Sequence, residues 1–275
     1  MSQRSQLARD WEFWAQTDPF YAVLTGPGMA GGQWEQQRQD FFRSGAQEVE
    51  ALVGEARSLG APQSWNAALD FGCGLGRVTA PLATHFDWVL GLDVSTSMVL
   101  RARRLHGQRK NVEFRCIRSI PELRGLSRFD LVWSILVLQH LDGAREVSDA
   151  LAELFHLLSP GGLLVVEIPS QVAPQGRPAG WVSRARHWLQ PRVRFGRLLY
   201  QLGVPAQTLG RWGGYRPPMK MTAMAEHEVC GRLQGLGGEV LAIRAHSGPD
   251  GVDYRRYYAS HRAIGGDRGL SGDSR

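Results

Sequence analysis

Residues 67–77 read Ala-Ala-Leu-Asp-Phe-Gly-Cys-Gly-Leu-Gly-Arg, a short apolar run followed by three alternating glycines. The run has the length and apolar character of a buried strand. Gly72 and Gly74 let the backbone turn sharply and approach a ligand closely, because no Cβ lies in the way. Gly76 lets the next helix begin close to the strand. Ligands bind at this end of the strands in an open α/β sheet, so the stretch predicts a ligand-binding strand–turn–helix segment.

An acidic residue, Asp93, closes the next apolar run, residues 88–92. It lies about twenty residues downstream of the glycines, a spacing at which a carboxylate accepts hydrogen bonds from ribose hydroxyls. The third glycine follows the second by two residues rather than three, and Asp70 precedes the first glycine by two. This pattern favours a ligand with a sulfonium and an amino-acid end over a diphosphate, and it disfavours a nicotinamide-dependent oxidoreductase.

Apolar runs of strand length alternate with helical patterns along the middle of the chain. The runs are continuous rather than alternating, which is typical of parallel strands covered by helices on both faces. The sequence therefore predicts a doubly wound, mostly parallel sheet of seven strands. The predicted strands are 67–71, 88–92, 112–116, 129–134, 162–168, 239–245 and 253–260, and the predicted helices are 46–59, 77–86, 95–106, 144–158 and 222–235.

The pattern divides the chain into five parts. Residues 1–45 are expected to form a helical, aromatic-rich N-terminal cap, and residues 46–168 the cofactor-binding core. Residues 169–220, rich in Pro, Gly, Arg and Trp, are predicted to be an inserted lid or substrate segment before the last helix. Residues 221–262 complete the core with that helix and two strands. Residues 263–275 are predicted to be a disordered tail, because they offer little to bury.

Composition limits the class of protein. The 275 residues carry a formal net charge of +6, and lysine occurs only at Lys110 and Lys220. No apolar run reaches the roughly 18 residues that span a bilayer, and the N-terminus lacks a secretory pattern. Cys73, Cys116 and Cys230 lack metal-ligand spacing, so no metal is predicted. The expected location is cytoplasmic, with peripheral membrane contact as an option.

Five blocks together resemble the class I S-adenosylmethionine-dependent methyltransferase family, of the small-molecule type. They occur in the family's order on the expected elements, between residues 46 and 168. The blocks are Leu69–Arg77, Gly91–Ser95 followed by Met98, Arg128–Ser134, Val137–Leu141 and Leu157–Gly162. The resemblance implies a Rossmann-like fold, S-adenosyl-L-methionine as cofactor and S-adenosyl-L-homocysteine as product.

The resemblance also implies roles for individual residues. The glycine turn, Asp70, Gly72, Cys73, Gly74 and Gly76, would wrap the methionine part of the cofactor. Asp93 would bind the ribose, Val94 and Met98 would pack on the adenine, and Ser134 and Ile135 would line the methyl-transfer face. Arg77 either pairs with the cofactor carboxylate or is a solvated arginine at the start of a helix. Cys73 is expected to fill space under the turn.

One position departs from the family pattern. Many relatives have an Asp after the third strand that binds the adenine amino group, whereas residues 114–119 contain no carboxylate. Backbone groups near Ile117 are the alternative contact.

The candidate for proton transfer is His140, which follows the fourth strand beside the expected methyl position. An imidazole has a pKa suited to act as a base near neutrality. The alternative is that His140 only packs at the start of the next helix. His156 is expected to pack within that helix.

The insertion has three interpretations. Phe195, Leu198, Leu199 and Leu202 share one helical face, while residues 181–194 carry Trp and Arg. The segment is a lid whose apolar face covers the site, a basic amphipathic helix at a membrane surface over 181–204, or a phosphate-binding patch for nucleic acid. The lid is favoured, since an apolar stripe is more often packed than exposed.

These observations predict methyl transfer to an O or N nucleophile of a small or medium-sized acceptor, such as a glycan, a lipid-linked compound or a secondary metabolite. An RNA or protein methyltransferase that uses the basic insertion is one alternative. Nucleic acid is disfavoured because residues 133–136 lack the Pro-Pro-aromatic motif that grips a flipped base. A non-catalytic cofactor-binding module is the other alternative.

Overall fold

The computed structural model describes residues 3–25, 29–171, 195–212, 215–248 and 251–261. Seven strands form one sheet in the order β3-β2-β1-β4-β5-β7-β6. The first five strands are mutually parallel, and β7 runs antiparallel to β5 and β6. The doubly wound, mostly parallel sheet predicted from the sequence is therefore confirmed. The strands are β1 Ala67–Phe71, β2 Trp88–Asp93, β3 Val112–Cys116, β4 Phe129–Ser134, β5 Leu158–Gln171, β6 Gly238–Ser247 and β7 Asp253–His261.

Helices flank both faces of the sheet. Helix α4 begins at Arg38, so the boundary predicted at residue 45 falls inside a helix rather than between two units. None of the helices in the described ranges is long and apolar enough to cross a lipid bilayer. The helices are α1 Gln3–Thr17, α2 Pro19–Val23, α3 Gln33–Gln36, α4 Arg38–Ser58, α5 Thr79–Leu82, α6 Thr96–His106, α7 Ala144–His156, α8 195–201, α9 Ala206–Trp212 and α10 Glu226–Gly235.

The parallel strands are apolar on both faces because each face packs against a separate helical layer. In β4, Val132 lies in one core cluster, whereas its neighbours Leu131 and Trp133 lie in the other. Successive side chains of a strand point to opposite faces, so a continuous apolar run is buried on both sides. The buried Asp130 carboxylate accepts the backbone amides of Asn66 and Ala67 at 2.8 and 3.1 Å, which fixes β1 beside β4.

The N-terminal helices pack over the end of the sheet where the glycine turn lies. Trp14, Phe20 and Phe41 form a cluster with Leu75 of the turn and Met98 of α6. Aromatic residues bury large areas, so this cluster fixes the position of α1 and α2 above the turn. The aromatic N-terminus thus becomes part of the wall of the site.

The expectation that one apolar face of α8 packs over the site is wrong. That face was predicted to consist of Phe195, Leu198, Leu199 and Leu202. Phe195, Leu198 and Leu202 are 62%, 50% and 71% exposed. The helix instead turns its Gly196 side inward, where a Cβ on Gly196 would lie 2.6 Å from the Tyr215 ring. Leu199 packs with Tyr215 against α1. The predictions for residues 172–194 and for the tail lie outside the described residues.

Candidate active site

The glycine turn follows β1 and admits no larger residue at two positions. Gly72 and Gly74 have φ values of +85° and +51°, a conformation that L side chains rarely adopt. A Cβ at these two positions would lie 2.2 Å from Val137 and 2.4 Å from Val23. The amides of Gly72 and Cys73 donate to the carbonyl of Leu92 at 2.7 and 2.9 Å, so the turn is joined to the end of β2.

Asp93, at the end of β2, binds the glycine turn through hydrogen bonds. Its carboxylate accepts the backbone amides of Gly74 at 2.9 Å and of Ser95 at 2.8 Å. Burial raises the pKa of Asp93 to about 6, although these amides favour the ionised form. The amide of Val94 also favours the ionised carboxylate, and because a carboxylate offers about four lone pairs, capacity remains for a hydroxyl donor.

Asp70 and Arg77 are the buried charged residues of β1 and the turn. Thr79 donates its hydroxyl to Asp70 at 2.5 Å, and burial raises the pKa of Asp70 to about 7. Arg77 is 6% exposed and pairs with Glu48 of α4 at 2.6 Å, so the interpretation as a solvated arginine is wrong. Its Nε is buried and has no hydrogen-bond partner among the described residues.

A cleft opens between the glycine turn, the ends of β2, β3 and β4, and the N-terminal helices. It encloses about 1260 Å³, counting space that is open to solvent. Eleven of the residues predicted for the site line it: Asp70, Gly72, Cys73, Gly74, Arg77, Asp93, Val94, Met98, Ile117, Ile135 and His140.

Two predicted residues lie outside the lining of this cleft. Gly76 lies against His106 and Phe114, and there it allows α6 and β3 to approach the turn. Ser134 is fully buried at the end of β4, and its hydroxyl has no hydrogen-bond partner in the described part of the chain. Cys73 is buried, and burial raises the pKa of its thiol, which agrees with a space-filling role.

Sequence reasoning missed the lining residues contributed by the N-terminus. Leu7 and Trp11 of α1 and Val23 of α2 face the cleft. The aromatic residues around them are visible in the sequence, but helical periodicity does not show which part of the fold a helix packs against. Leu136 was also missed. Its φ of +61° places a non-glycine residue in a strained conformation between β4 and the 3₁₀ turn Leu138–His140.

Glu12 was a further omission, and it connects the cap to the cofactor side of the sheet. Its carboxylate accepts the hydroxyl of Ser95 at 2.7 Å, and the amide of Ser97 at 3.1 Å together with the Ser97 hydroxyl. Burial alone raises the pKa of Glu12, but the bonds from Ser97 and Ser95 outweigh it and lower the pKa. Helix α1 is thereby held against the start of α6.

Replacing Glu12 by Gln is expected to destabilise the protein by about 1–2 kcal/mol near neutral pH, because charge-assisted hydrogen bonds are lost. The folded-state pKa of Glu12 is lowered, so its stabilisation is complete above the unfolded value of about 4.3 and is lost as pH falls through the folded value. Chemical denaturation at pH 7 and pH 3.5 measures the loss of stability caused by the substitution and its dependence on pH. The exposed Glu35→Gln is the control. An equal deficit at both pH values would contradict the assignment.

His140 lies in the 3₁₀ turn after β4 and is held in one tautomer. Its Nδ1 is 2.7 Å from the backbone carbonyl of Lys220, which can only accept, so Nδ1 carries the proton. The Gln139 amide lies 3.3 Å from Nε2 and donates to it. Burial lowers the pKa of His140, and the carbonyls of Lys220 and Leu136 offset this only in part. The ring is therefore neutral near pH 7, with a lone pair on Nε2.

A second cavity adjoins the cleft and shares Leu7, Trp11, His140 and Glu146 with it; it measures about 830 Å³ when space open to solvent is counted. The Trp11 and His140 ring centroids are 4.9 Å apart. The remaining wall combines apolar groups with ion pairs, in which Lys220 contacts Asp142 at 2.9 Å and Arg197 contacts Asp10 at 3.5 Å. His140 therefore stands at the junction of two spaces.

The sequence matches the methyltransferase domain family over residues 69–164. Trans-aconitate 2-methyltransferase of Deinococcus radiodurans is 35% identical over 49% of this chain and 47% of its own length. Ubiquinone biosynthesis O-methyltransferase of Bradyrhizobium sp. is 34% identical over 36% of this chain and 38% of its own. The chain thus spans about half or less of the curated relatives it matches.

Solved structures extend the likeness over nearly the whole fold. Magnesium protoporphyrin IX methyltransferase from Synechocystis, with bound S-adenosylhomocysteine, has a TM-score of 0.59 at 18% identity and covers 94% of this chain and 100% of its own. N-methyltransferase NodS from Bradyrhizobium japonicum, with the same ligand, has a TM-score of 0.56 at 19% identity, covering 93% and 98%. Together with the strand order, these structures show that the chain has the fold of S-adenosylmethionine-dependent methyltransferases, and residues 69–164 match the methyltransferase domain family.

Proposed function

We propose that the protein binds S-adenosylmethionine in the cleft and transfers its methyl group to an O or N nucleophile of a small or medium-sized acceptor held in the second cavity. The observation that carries this proposal is the neutral His140 at the junction of the two spaces, held in the tautomer whose accepting nitrogen is Nε2. When bound, the cofactor supplies an electrophilic methyl group on a sulfonium.

The residues of the cleft fit this cofactor. Asp93 has acceptor capacity for ribose hydroxyls, and Met98 and Ile117 offer apolar contacts for a flat base. The turn at Gly72 and Gly74 lets the backbone come close to the methionine portion. The buried Nε of Arg77, which has no partner among the described residues, is a donor for its carboxylate.

His140 supplies the proton chemistry in this proposal. The acceptor hydroxyl or amine must lose a proton as it attacks, and Nε2 of the neutral imidazole accepts it after the acceptor replaces the Gln139 amide as the hydrogen-bond donor to Nε2. The carbonyl of Lys220 holds the Nδ1 proton, and it stabilises the imidazolium that forms. The Lys220–Asp142 ion pair helps to hold this carbonyl beside Nδ1. Alignment of donor and acceptor by the two adjoining spaces supplies the remaining rate enhancement.

The acceptor class follows from the wall of the second cavity. Three carboxylates, Asp10, Asp142 and Glu146, face two cations, Arg197 and Lys220. The excess of negative charge would repel an acceptor that carries a carboxylate. Hydroxyl and amine groups, in contrast, donate hydrogen bonds to these carboxylates. Trp11 adds an aromatic surface. We therefore favour alcohols, phenols and amines over carboxylic acids as acceptors.

An acceptor panel with and without His140 tests the proposal. Release of S-adenosylhomocysteine is followed for alcohols, phenols, amines and carboxylates of comparable size, with wild type and His140→Ala. Turnover should occur with a member of the first three groups and should fall in the variant. Turnover with carboxylates alone, undiminished in the variant, would contradict both the base and the acceptor class.

The affinity for S-adenosylhomocysteine is expected to weaken as the pH falls below about 6, the pKa to which burial raises Asp93. The ionised carboxylate accepts the ribose hydroxyls, and the folded protein gains a proton there as pH falls through that value. Calorimetric titration at pH 7.5 and pH 5 should show a loss of up to about tenfold. Asp70 also titrates in the cleft, near pH 7, so Asp93→Asn isolates the contribution of Asp93. An equal pH dependence in that variant would assign the effect elsewhere.

A further inference from the structure

The segment before the last helix concentrates the positive charge of the chain. Residues 168–225 contain eight Arg, one Lys and no Asp or Glu, which is a formal charge of +9 in a chain whose net charge is +6. The other residues therefore sum to −3. Such segregation is unusual for a solvated face, where both signs are interspersed, and it favours a negatively charged partner.

Helix α8, within this segment, presents an apolar stripe to solvent. At 100° per residue, Phe195, Leu198 and Leu202 fall within about 60° of each other around the helix axis. They are among the four large hydrophobic residues that are exposed in the described ranges, and the fourth, Leu100, lies alone on α6. The stripe is not needed to attach the helix to the rest of the fold, because Leu199 and Tyr200 on the other side pack against Phe13 and Tyr215.

We infer that the exposed stripe formed by Phe195 and Leu198 of α8 and by Leu202, the first residue after it, is a docking surface for an anionic lipid membrane. A basic segment with an apolar stripe binds at the lipid interface because apolar side chains enter the acyl boundary while cations meet anionic headgroups. Nucleic acid would use the positive charge but not three exposed apolar side chains. The combination therefore selects lipid over RNA.

Docking at this surface has a consequence for the site. Arg197 lies on the same helix and lines the second cavity. The membrane surface and the cavity are thus joined by α8, an arrangement suited to acceptors that are dissolved in or carried by the bilayer. The docking surface itself does not depend on the proposed methyl transfer, so it is tested without cofactor or acceptor.

Vesicle co-sedimentation tests the inference on the full chain. Wild type, the combined variant Phe195→Ser/Leu198→Ser/Leu202→Ser and the matched control Leu100→Ser are mixed with phosphatidylcholine vesicles that contain or lack phosphatidylglycerol. Because the substituted residues are exposed, thermal melting should show that all three proteins fold alike. The expected result is binding to phosphatidylglycerol vesicles that is at least about tenfold stronger than to phosphatidylcholine alone, weakened by salt, and lost about tenfold in the triple variant only.

Three outcomes would overturn the inference. Equal partitioning of the wild type and the triple variant would show that the stripe does not contact the membrane. Equal binding to both vesicle types would show that the anionic headgroup is not recognised. Binding of a single-stranded RNA oligonucleotide without binding of vesicles would assign the positive charge to nucleic acid instead.

Discussion

Replacement of His140 by Ala is expected to lower kcat by about 10²–10⁴-fold with an alcohol, phenol or amine acceptor, the range that a positioned general base contributes. The reason is the fixed tautomer, in which Nδ1 donates to the Lys220 carbonyl and Nε2 is the accepting nitrogen. Cofactor affinity should change little, because the ring lies where the cleft meets the second cavity rather than at the ribose. Steady-state kinetics combined with S-adenosylhomocysteine titration separates the two effects.

The matched control for this variant is His156→Ala, which should leave kcat unchanged. His156 is exposed at the end of α7, so the expectation that it packs within the helix is wrong. The pH profile provides a second check. Since burial lowers the pKa of His140, the wild-type rate should already be maximal near pH 7 and decline only in acid. A His140→Ala enzyme with wild-type turnover would remove this residue from proton transfer and leave alignment as the only contribution to catalysis.

Replacement of Asp93 by Ala is expected to weaken S-adenosylhomocysteine binding by about 2–4 kcal/mol, or roughly 30- to 1,000-fold, because charge-assisted hydrogen bonds to the ribose are lost. The change also removes the acceptor for the amides of Gly74 and Ser95, so part of the effect arises from a loosened turn. Isothermal titration gives the affinity, and thermal melting of the free protein gives the structural part.

Asp87→Ala is the control, because Asp87 is exposed just before the opposite end of the same strand. Its affinity should equal that of the wild type. If the Asp93→Ala protein bound the ligand with undiminished affinity, the ribose assignment would be wrong, and the glycine turn would have to account for cofactor binding by itself.

The strands of the core were predictable because their burial on both faces leaves a continuous apolar signature. β1, β3 and β4 begin and end where the sequence indicated, and the glycine turn and Asp93, which the sequence singled out, line the cleft at one end of the sheet. These features depend on residues that are close in sequence, where periodicity and turn chemistry are informative.

The remaining parts of the site depend on contacts between distant residues. The tautomer of His140 is set by Lys220, which lies 80 positions away, and the cap is held by Glu12 acting on Ser95, 83 positions away. The orientation of α8 depends on Tyr215 packing on Gly196, which turned the expected inner face outward. Local sequence patterns do not show which distant residues come into contact. The sequence therefore indicated candidate site residues but not the residues that hold them in place.

The cofactor assignment is tested most directly by isothermal titration of the full chain with S-adenosylhomocysteine, with NADH titrated in parallel. We expect a dissociation constant in the micromolar range, about −7 to −8 kcal/mol, for S-adenosylhomocysteine and no heat of binding for NADH. Binding of NADH, or a folded protein that does not bind S-adenosylhomocysteine, would contradict the assignment of the cleft.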